Sequence, residues 1–421
     1  MTQKKNYILF VEQYLPAAMN RVREKLGYKV LLIRDSARQE KEQKKKFASV
    51  DAVIYVDFEN SHDVAKALLP FQNQLRAVTA RGEDGAGKLR AVIPHVPYLQ
   101  TPTTDSIAWA LDKYSTRRRI KLFDPKHSIR FTKVKDMSDD EIARVIRQVS
   151  FPMIVKPSNL QESLLVTVCY HEEELRTALK KIFKKIEAVY KEKNRQQAPT
   201  VVAEEFMEGD MYSIDTYVNA KGTTYHCPLV RVQTGKNIGR DDFFGYLQMT
   251  PSGLSEESIE KARRVAENAI HALGLRSVTA HVELMRVDHE WRVIEIGPRM
   301  GGFRDTLYDL SFGIDHTIND VLVRMGKKPI ILRKRKGYTA AMKWFASTEG
   351  AITSIRGIKK VEQLDSFYSI AANKKIGDKA VFSRHGGTSL FNIILTNKDR
   401  SELLADIRRI EEYLKVEIAR A

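Results

Sequence analysis

Short apolar blocks alternate with amphipathic stretches of helical length over the first hundred residues. Tyr7–Val11, residues 29–33 and Ala52–Val56 read as buried strands. Residues 17–26, ended by Gly27, and residues 62–69 read as helices. Strands alternating with helices predict a parallel sheet from Tyr7 to about Asp112. No Gly-x-Gly-x-x-Gly follows the first strand, so this is a Rossmann-type domain without the dinucleotide fingerprint.

The chain turns between Pro94 and Pro102, and residues 104–120 predict one long helix or a helix pair. Residues 128–133 predict a strand, and Ser138 caps a helix with an acidic first turn. Residues 151–158 form a strand that delivers Lys156 at its end, where the ammonium could meet a phosphate or stay an ordinary exposed lysine. A strand over 164–169 and a long amphipathic helix from Glu172 follow, ended by Ala198-Pro199. Residues 201–217 read as two strands around a Glu-Gly-Asp break, and residues 225–234 as one more. The polar loop 235–245 faces a substrate in this reading. Ser255 caps a helix over 256–273, with Gly274 past its end.

Residues 279–302 carry the most pointed pattern. Apolar and polar residues alternate on two arms around Asp288-His289-Glu290, which predicts a β-hairpin. With those three residues as the loop, Val287 pairs with Trp291, Met285 faces Val293 and Glu283 faces Glu295. Two carboxylates directly opposite on one face repel unless a cation sits between them. Such a pair suits Mg²⁺, which takes oxygen ligands and keeps waters and phosphates for the rest of its shell. A two-residue loop would shift the register, and an exposed hairpin with two solvated glutamates fits the same pattern. Arg299 follows in a Gly-Pro-Arg-Met-Gly-Gly turn. Beyond a basic link over 327–337, residues 338–345, 351–355, 366–371 and 390–395 predict strands and residues 400–414 a helix, an antiparallel α+β unit.

A length of 421 residues predicts two or three domains, and 43% hydrophobic with 29% charged residues is a soluble globular composition. No apolar run reaches membrane-span length, and the first residues lack the apolar core and cleavage site of a signal peptide, so a cytoplasmic location is expected. Cys169 and Cys227 provide neither a disulfide framework nor metal-ligand spacing. The net charge of +17 suits an anionic substrate or nucleic acid. The densest basic run, residues 180–195, lies on the polar face of the amphipathic helix, and no nucleic-acid module is visible, so small-molecule substrates are the expectation.

Taken together, these segments resemble the ATP-grasp superfamily, and within it carboxylate–amine ligases similar to bacterial L-amino acid ligases. The resemblance rests on Phe-Pro-Met-Ile-Val-Lys-Pro at 151–157, Glu-Glu-Phe-Met-Glu-Gly at 204–209, His-Val-Glu-Leu-Met at 281–285, Trp-Arg-Val-Ile-Glu-Ile-Gly-Pro-Arg-Met-Gly-Gly at 291–302, and Asp112-Lys113. It implies a mixed α/β and α+β fold. A Rossmann-like domain would precede the ATP-grasp over residues 1–112. A two-lobed ATP-grasp domain would span 113–330, with its lid over about 120–200, and an α+β subdomain 331–421.

The resemblance further implies ATP as cosubstrate and Mg²⁺, with Mn²⁺ as an alternative. Lys113 and Lys156 would contact phosphates. Glu204 and the backbone of Glu205, Phe206 and Met207 would hold adenine. Glu283 and Glu295 would bind the metal, and Arg299 would stabilise the transferring phosphoryl group. Arg231, Lys236 and Arg304 are further candidates for phosphate or substrate carboxylate, and a homodimer is left open.

Three positions depart from the family pattern. The loop after the Lys-Pro strand, residues 158–163, has no glycine. Met211 stands where the ribose-binding acid is expected, with Asp210 adjacent as a substitute, and Gly297 replaces an asparagine ligand. The implied reaction joins a carboxylate, an amino acid or peptide, to an amine through an acyl phosphate. The rival readings are a non-catalytic nucleotide-binding scaffold and a nucleic-acid-associated protein.

Overall fold

A computed structural model describes residues 6–160, 164–192, 198–240 and 243–419. The N-terminal strands β1 (Tyr7–Val11), β2 (Lys29–Asp35) and β3 (Ala52–Val56) are joined by β4 (Leu75–Ala80) in a parallel sheet of order β3-β2-β1-β4. The sequence reading lacks β4, whose Leu-Arg-Ala-Val-Thr-Ala is too poor in large apolar residues to stand out. It also lacks the helix Gly82–Val92 that follows. Strand order reverses between β1 and β4. Ligands gather outside the carboxyl ends of strands at such a switch, and Gln13, Arg81, Gly82 and Glu83 emerge there.

Strands β5 (Phe131–Val134), β6 (Met153–Pro157), β7 (Thr167–Cys169) and β8 (Val201–Glu205) form a small antiparallel sheet of order β5-β8-β6-β7. The helix Glu172–Glu192 buries Leu175, Leu179, Ile182 and Ile186 against its back, while Lys180, Lys181, Lys184 and Lys185 face outward. The basic run is therefore a solvated helix face among the described residues. Upstream, the expected helix pair is two helices, Thr104–Leu111 and Lys113–Phe123. They break at Asp112, whose Oδ1 accepts from Ser115 N at 2.7 Å as the cap of the second.

The large sheet contains β9 (Asp210–Val218), β10 (Thr224–His226), β11 (Val230–Thr234), β12 (Gly245–Thr250), β13 (Val278–Val287), β14 (Glu290–Gly297), β15 (Tyr338–Trp344), β17 (Phe367–Ala372) and β19 (Phe391–Asn397). Its order is β14-β13-β9-β11-β12-β15-β19-β17, with β10 also on β9. The single strand expected over 225–234 is β10 and β11, parted by Cys227-Pro228-Leu229, where proline offers no ladder N–H. The C-terminal strands are antiparallel, and three of them continue the large sheet through the β12–β15 pairing. The others, β16 (Gly350–Arg356), β18 (Lys379–Ala380) and β20 (Lys415–Ala419), make a separate three-stranded sheet. Helix Glu256–Ala272 covers one face of the large sheet, burying Ala262, Val265, Ala266, Ala269 and Ile270. Helices Arg304–Phe312 and His316–Arg324 cover part of the other.

The hairpin departs from the predicted register in an instructive way. Its turn has two residues, Asp288 at φ 48° and His289 at φ 65°, and Val287 pairs with Glu290 rather than Trp291. Two central residues at positive φ twist a turn to match the flanking strands. That register would place Glu283 away from Glu295. A bulge between Glu283 and Leu284 restores it: Leu284 pairs with Val293, Ile294 is passed over, and Glu283 stands opposite Glu295.

Among the described residues, no helix is long and apolar enough to cross a membrane.

Candidate nucleotide and metal site

A cavity of about 1200 Å³ lies between the small sheet, the open face of the large sheet, the carboxyl ends of β1 and β4, and the C-terminal strands. Ligand pockets for one drug-sized molecule run to about 300–1,000 Å³, so this one has room for a nucleotide and a second molecule. Lys113, Lys156, Glu204, Glu205, Phe206, Met207, Lys236, Glu283, Glu295, Arg299 and Arg304 all line it. Asp210 and Arg231 do not: they pair with each other at 3.2 Å on the outside, and Met211 faces the cavity instead.

The small sheet meets the large one through a buried charge cluster. Glu204 Oε2 accepts from Arg117 Nη2 at 2.9 Å and lies 2.7 Å from Lys156 Nζ. Arg117 also donates to the carbonyls of Val293 and Ile294, at the hairpin's bulge. Burial raises the Glu204 pKa, but Arg117 and Lys156 outweigh it and bring it to about 2. Burial likewise lowers the Lys156 pKa, against the pull of Glu204. Glu204 Oε1 is buried with no hydrogen-bond partner among the described residues. An amine donor such as that of adenine would satisfy it.

Glu205 turns its side chain away, accepting from the Arg130 backbone N–H and Nε at 3.2 and 3.1 Å. Phe206 N donates to Pro152 O at 3.1 Å, and the Phe206 and Phe243 rings flank the Lys236 ammonium at 5.8 and 4.6 Å.

Arg117 was invisible to the sequence reading because its partners are 87 and 176 residues away. In Arg117→Met the apolar stem stays, Glu204 loses one of its two cations, and two carbonyls lose their donor. Removing one partner of a buried charge pair costs about 3 kcal/mol or more. Urea denaturation of this variant is expected to show that loss.

The lysine of the second helix is fixed from both sides. Lys113 N donates to Ser158 O at 2.9 Å, Tyr114 N donates to Ser158 Oγ at 3.1 Å, and Ser158 Oγ donates to Asp112. Lys113 Nζ donates to Leu160 O at 2.8 Å and lies 3.4 Å from Glu295 Oε1. The loop after the Lys-Pro strand is thus tied to the Asp112–Lys113 corner as far as Leu160. Its remainder, Gln161, Glu162 and Ser163, lies outside the described residues, as do Asp241 and Asp242 of the 235–245 loop.

At the hairpin, Glu283 and Glu295 face one another across the strands and into the cavity. Burial raises the Glu295 pKa and the Glu83 and Glu283 charges raise it further, against Lys113 and Lys156. The Glu283 carboxyl is lowered despite its burial, by His281, Arg299 and Arg304. Among the described residues no group of three or more His, Cys, Asp or Glu converges on one metal position. The donor set of two glutamates fits a hard divalent cation that takes its other oxygens from phosphates and water.

Arg299 lies across Gly297. A Cβ at that glycine would stand 3.3 Å from Arg299 Cγ. Its guanidinium donates to Glu83 Oε1 at 2.8 Å and Met300 O at 3.0 Å. Burial lowers the Arg299 pKa, but the surrounding carboxylates raise it above the usual value.

Arg304 lines the cavity; its Nη1 and Nη2 donate to Gln248 Oε1 and Ser213 Oγ at 2.5 Å and to Gly302 O at 3.0 Å, while its buried Nε has no hydrogen-bond partner among the described residues.

Behind Glu283 runs a buried array with no trace in the sequence pattern except a histidine two residues earlier on the same strand. His281 Nε2 lies 3.5 Å from Glu283 Oε1, and its Nδ1 bonds Asp215 Oδ1 at 2.6 Å. Asp215 Oδ2 accepts from His316 Nε2 at 2.7 Å and from Gly301 N at 2.8 Å. His316 Nδ1 in turn bonds the Tyr217 hydroxyl. Asp215 and His316 are fully buried. A Cβ at Gly301 would stand 2.4 Å from His281 Nδ1, so only glycine lets this turn pass.

Residues 149–307 match the ATP-grasp domain family. Over that stretch the chain is similar to ATP-grasp domains. The hairpin, the Lys156 strand and the Arg299 turn all fall inside the ATP-grasp match.

Over 204 residues the chain is 28% identical to D-alanine–D-alanine ligase of a Thermoanaerobacter species, covering 47% of this chain and 53% of that enzyme. Such stretches span only 15–60% of the length of the curated relatives matched. The fold is similar over both full chains to an L-amino acid ligase from Bacillus licheniformis, with a TM-score of 0.80 and 20% identity. It is also similar to the biotin carboxylase domain of Hydrogenobacter thermophilus 2-oxoglutarate carboxylase in complex with MgADP. There the TM-score is 0.67 and the identity 13%, over 99% of this chain and 91% of that one.

Proposed function

We propose that this protein is an ATP-grasp enzyme, a Mg²⁺-ATP-dependent ligase that joins a carboxylate to an amine through an acyl phosphate. The observation that carries the reading is the bulge-corrected register setting Glu283 opposite Glu295 in a cavity that Lys113, Lys156 and Arg299 also line. A bulge that restores two repelling carboxylates to opposition makes sense if something binds between them.

In this reading Glu283 and Glu295 hold Mg²⁺, with Mn²⁺ as an alternative ion, which neutralises charge on the ATP phosphates. Lys113 and Lys156 hold the phosphates. Glu204 Oε1 and the backbone of Glu205 to Met207 hold adenine. The substrate carboxylate attacks the γ-phosphorus, the bond to ADP breaks, and Arg299 stabilises charge on the phosphoryl oxygens. The amine then attacks the acyl carbon, loses a proton, and phosphate leaves. Closing the small sheet over the cavity keeps water from the acyl phosphate.

Phosphate release from ATP is the test, measured with Mg²⁺ and pairs drawn from amino acids and short peptides. Release that needs both partners, with a coupled product by mass spectrometry, is the expected result. Release at background for every pair, with Mg-ATP still bound, would instead support a nucleotide-binding scaffold.

A further inference from the structure

The basic link over 327–336 takes no part in the reaction described above. Its sequence, Lys-Lys-Pro-Ile-Ile-Leu-Arg-Lys-Arg-Lys, holds six cations and no acid. The basic helix Glu172–Glu192 offsets its six cations with five glutamates, as an ordinary solvated face does. The link has no such offset. None of its six cations has an ion pair among the described residues. The aspartates of helices Arg304–Phe312 and His316–Arg324 are engaged elsewhere. Asp305 and Asp315 pair with Arg21 and Lys25, and Asp320 pairs with Arg324. Asp309 acts on the same Arg21 and Lys25.

The link is pinned to the body of the protein. Lys327 N donates to Leu322 O at 2.8 Å, and Lys336 N to Ser311 O at 2.7 Å. Between them the buried Asn319 side chain clasps a single residue. Its Nδ2 donates to Ile330 O and its Oδ1 accepts from Ile330 N, both at 2.7 Å. That clasp decides which side chains face out. Ile331 packs inward against Leu307, Phe312 and Ile314. Its neighbours Ile330 and Leu332 turn away from that core and are 62% and 45% exposed. Lys327, Lys328, Arg333 and Lys334 are exposed on either side of them. Arg335 donates to the Tyr338 hydroxyl at 2.6 Å and covers its ring at 4.5 Å.

Two aliphatic side chains held outward between uncompensated cations fit one kind of surface. Anionic lipid headgroups take the Lys and Arg charges, at about fivefold in affinity for each cation near the surface. The acyl boundary beneath them takes the aliphatic side chains, which gain by leaving water. Single-stranded nucleic acid instead stacks its bases on aromatic faces, and the Tyr338 ring at the end of the link is already covered by Arg335.

We propose that residues 327–336 form a docking strap for an anionic membrane surface, on which the protein lies without spanning it. Co-sedimentation of the full chain with vesicles tests this. The vesicles are phosphatidylcholine alone, and phosphatidylcholine with about a third phosphatidylserine, in about 0.1 M salt.

Binding is expected only to the anionic vesicles, and higher salt should release it. Arg333→Gln with Lys334→Gln should weaken it about 25-fold, about fivefold for each charge. Ile330→Ser with Leu332→Ser keeps every charge and the backbone clasp, and should weaken it at least about tenfold. Lys180→Gln with Lys184→Gln, on the basic helix, should stay within about twofold of the wild type. All of these side chains are exposed, so the melting temperature should not fall in any of the three variants. No binding to anionic vesicles, or undiminished binding in Ile330→Ser with Leu332→Ser, would overturn the proposal. So would an equal loss in Lys180→Gln with Lys184→Gln, which would show the net charge of +17 acting as a whole. Tighter binding of a single-stranded RNA than of the vesicles, lost in Arg333→Gln with Lys334→Gln, would assign the strap to nucleic acid instead.

Discussion

Glu295→Gln should lower Mg-ATP-dependent phosphate release at least about 10²–10³-fold, the scale on which a charge-stabilising group counts in a transition state, and at the same time raise the melting temperature of the ligand-free protein. The two effects have one cause. Glu295 is buried beside Glu83 and Glu283, and its pKa is raised. A carboxyl whose folded pKa is raised prefers its neutral form in the fold, so near neutral pH its charge costs stability that a neutral glutamine does not.

Lys113, 3.4 Å away, offsets part of that cost, and its own pKa is raised over the effect of burial by Glu295, Glu83 and Glu204. The net gain should therefore be modest, roughly 1–3 °C. In the wild type, Mg²⁺ with ATP should raise the melting temperature strongly, because ligands that bind only the folded state stabilise it. In Glu295→Gln that increment should largely vanish. A differential scanning fluorimetry series in Mg²⁺, with and without nucleotide, reads both signs. Unchanged turnover would remove the metal assignment, and a lower ligand-free melting temperature would show that the Lys113 contact outweighs the repulsion.

The second large effect is expected from a residue that lies outside the cavity. Asp215→Asn should cost about 3 kcal/mol or more of stability and lower the apparent Mg²⁺ affinity of the nucleotide-bound protein about 10–100-fold. The carboxylate of Asp215 gives one oxygen to His281 and the other to His316 and Gly301. An amide keeps one acceptor oxygen and turns an N–H₂ toward a group that already donates. Whichever way it lies, His281 or the Gly301 turn is released. The first orients Glu283 and the second fixes the turn that presents Arg299.

Burial lowers the His281 pKa, but Asp215 and Glu283 raise it above the ordinary value, so the two acids favour the charged form of the ring between them. Equilibrium Mn²⁺ binding by electron paramagnetic resonance separates this from simple loss of folding. A purely structural role would lower stability but leave the affinity of the folded fraction intact.

The hairpin and the Lys156 strand were legible because their alternation is local: each buried residue announces its neighbour two positions on. The opposition of Glu283 and Glu295 was expected for a reason that turned out to be wrong. The loop has two residues instead of three, and the bulge at Ile294 makes up the difference. No period marks a bulge, so the route to the register could not be read.

Arg117, Glu83 and Asp215 were missed for a different reason. Each acts through partners far along the chain, and each sits in an ordinary helix or strand context. Arg304 shows a related gap: it lines the cavity as a substrate candidate should, yet three of its N–H groups already go to Gln248, Gly302 and Ser213. Sequence patterning marks which face a residue is on; it does not mark whether its hydrogen bonds are already taken.

The continuity of the large sheet has a consequence for dissecting the molecule. Strand β15 occupies the edge of β12, with Leu247 to Thr250 paired against Thr339 to Met342. Cutting the chain in the basic link before Tyr338 would not free a self-contained catalytic half. It would bare the ladder of β12 and the apolar side chains of Tyr246, Leu247 and Met249 that pack on the C-terminal core. An unpaired apolar edge is a template for strand addition by other chains. A fragment ending there is expected to self-associate, and a second fragment supplying β15 and β19 in trans is what should bring it back into solution.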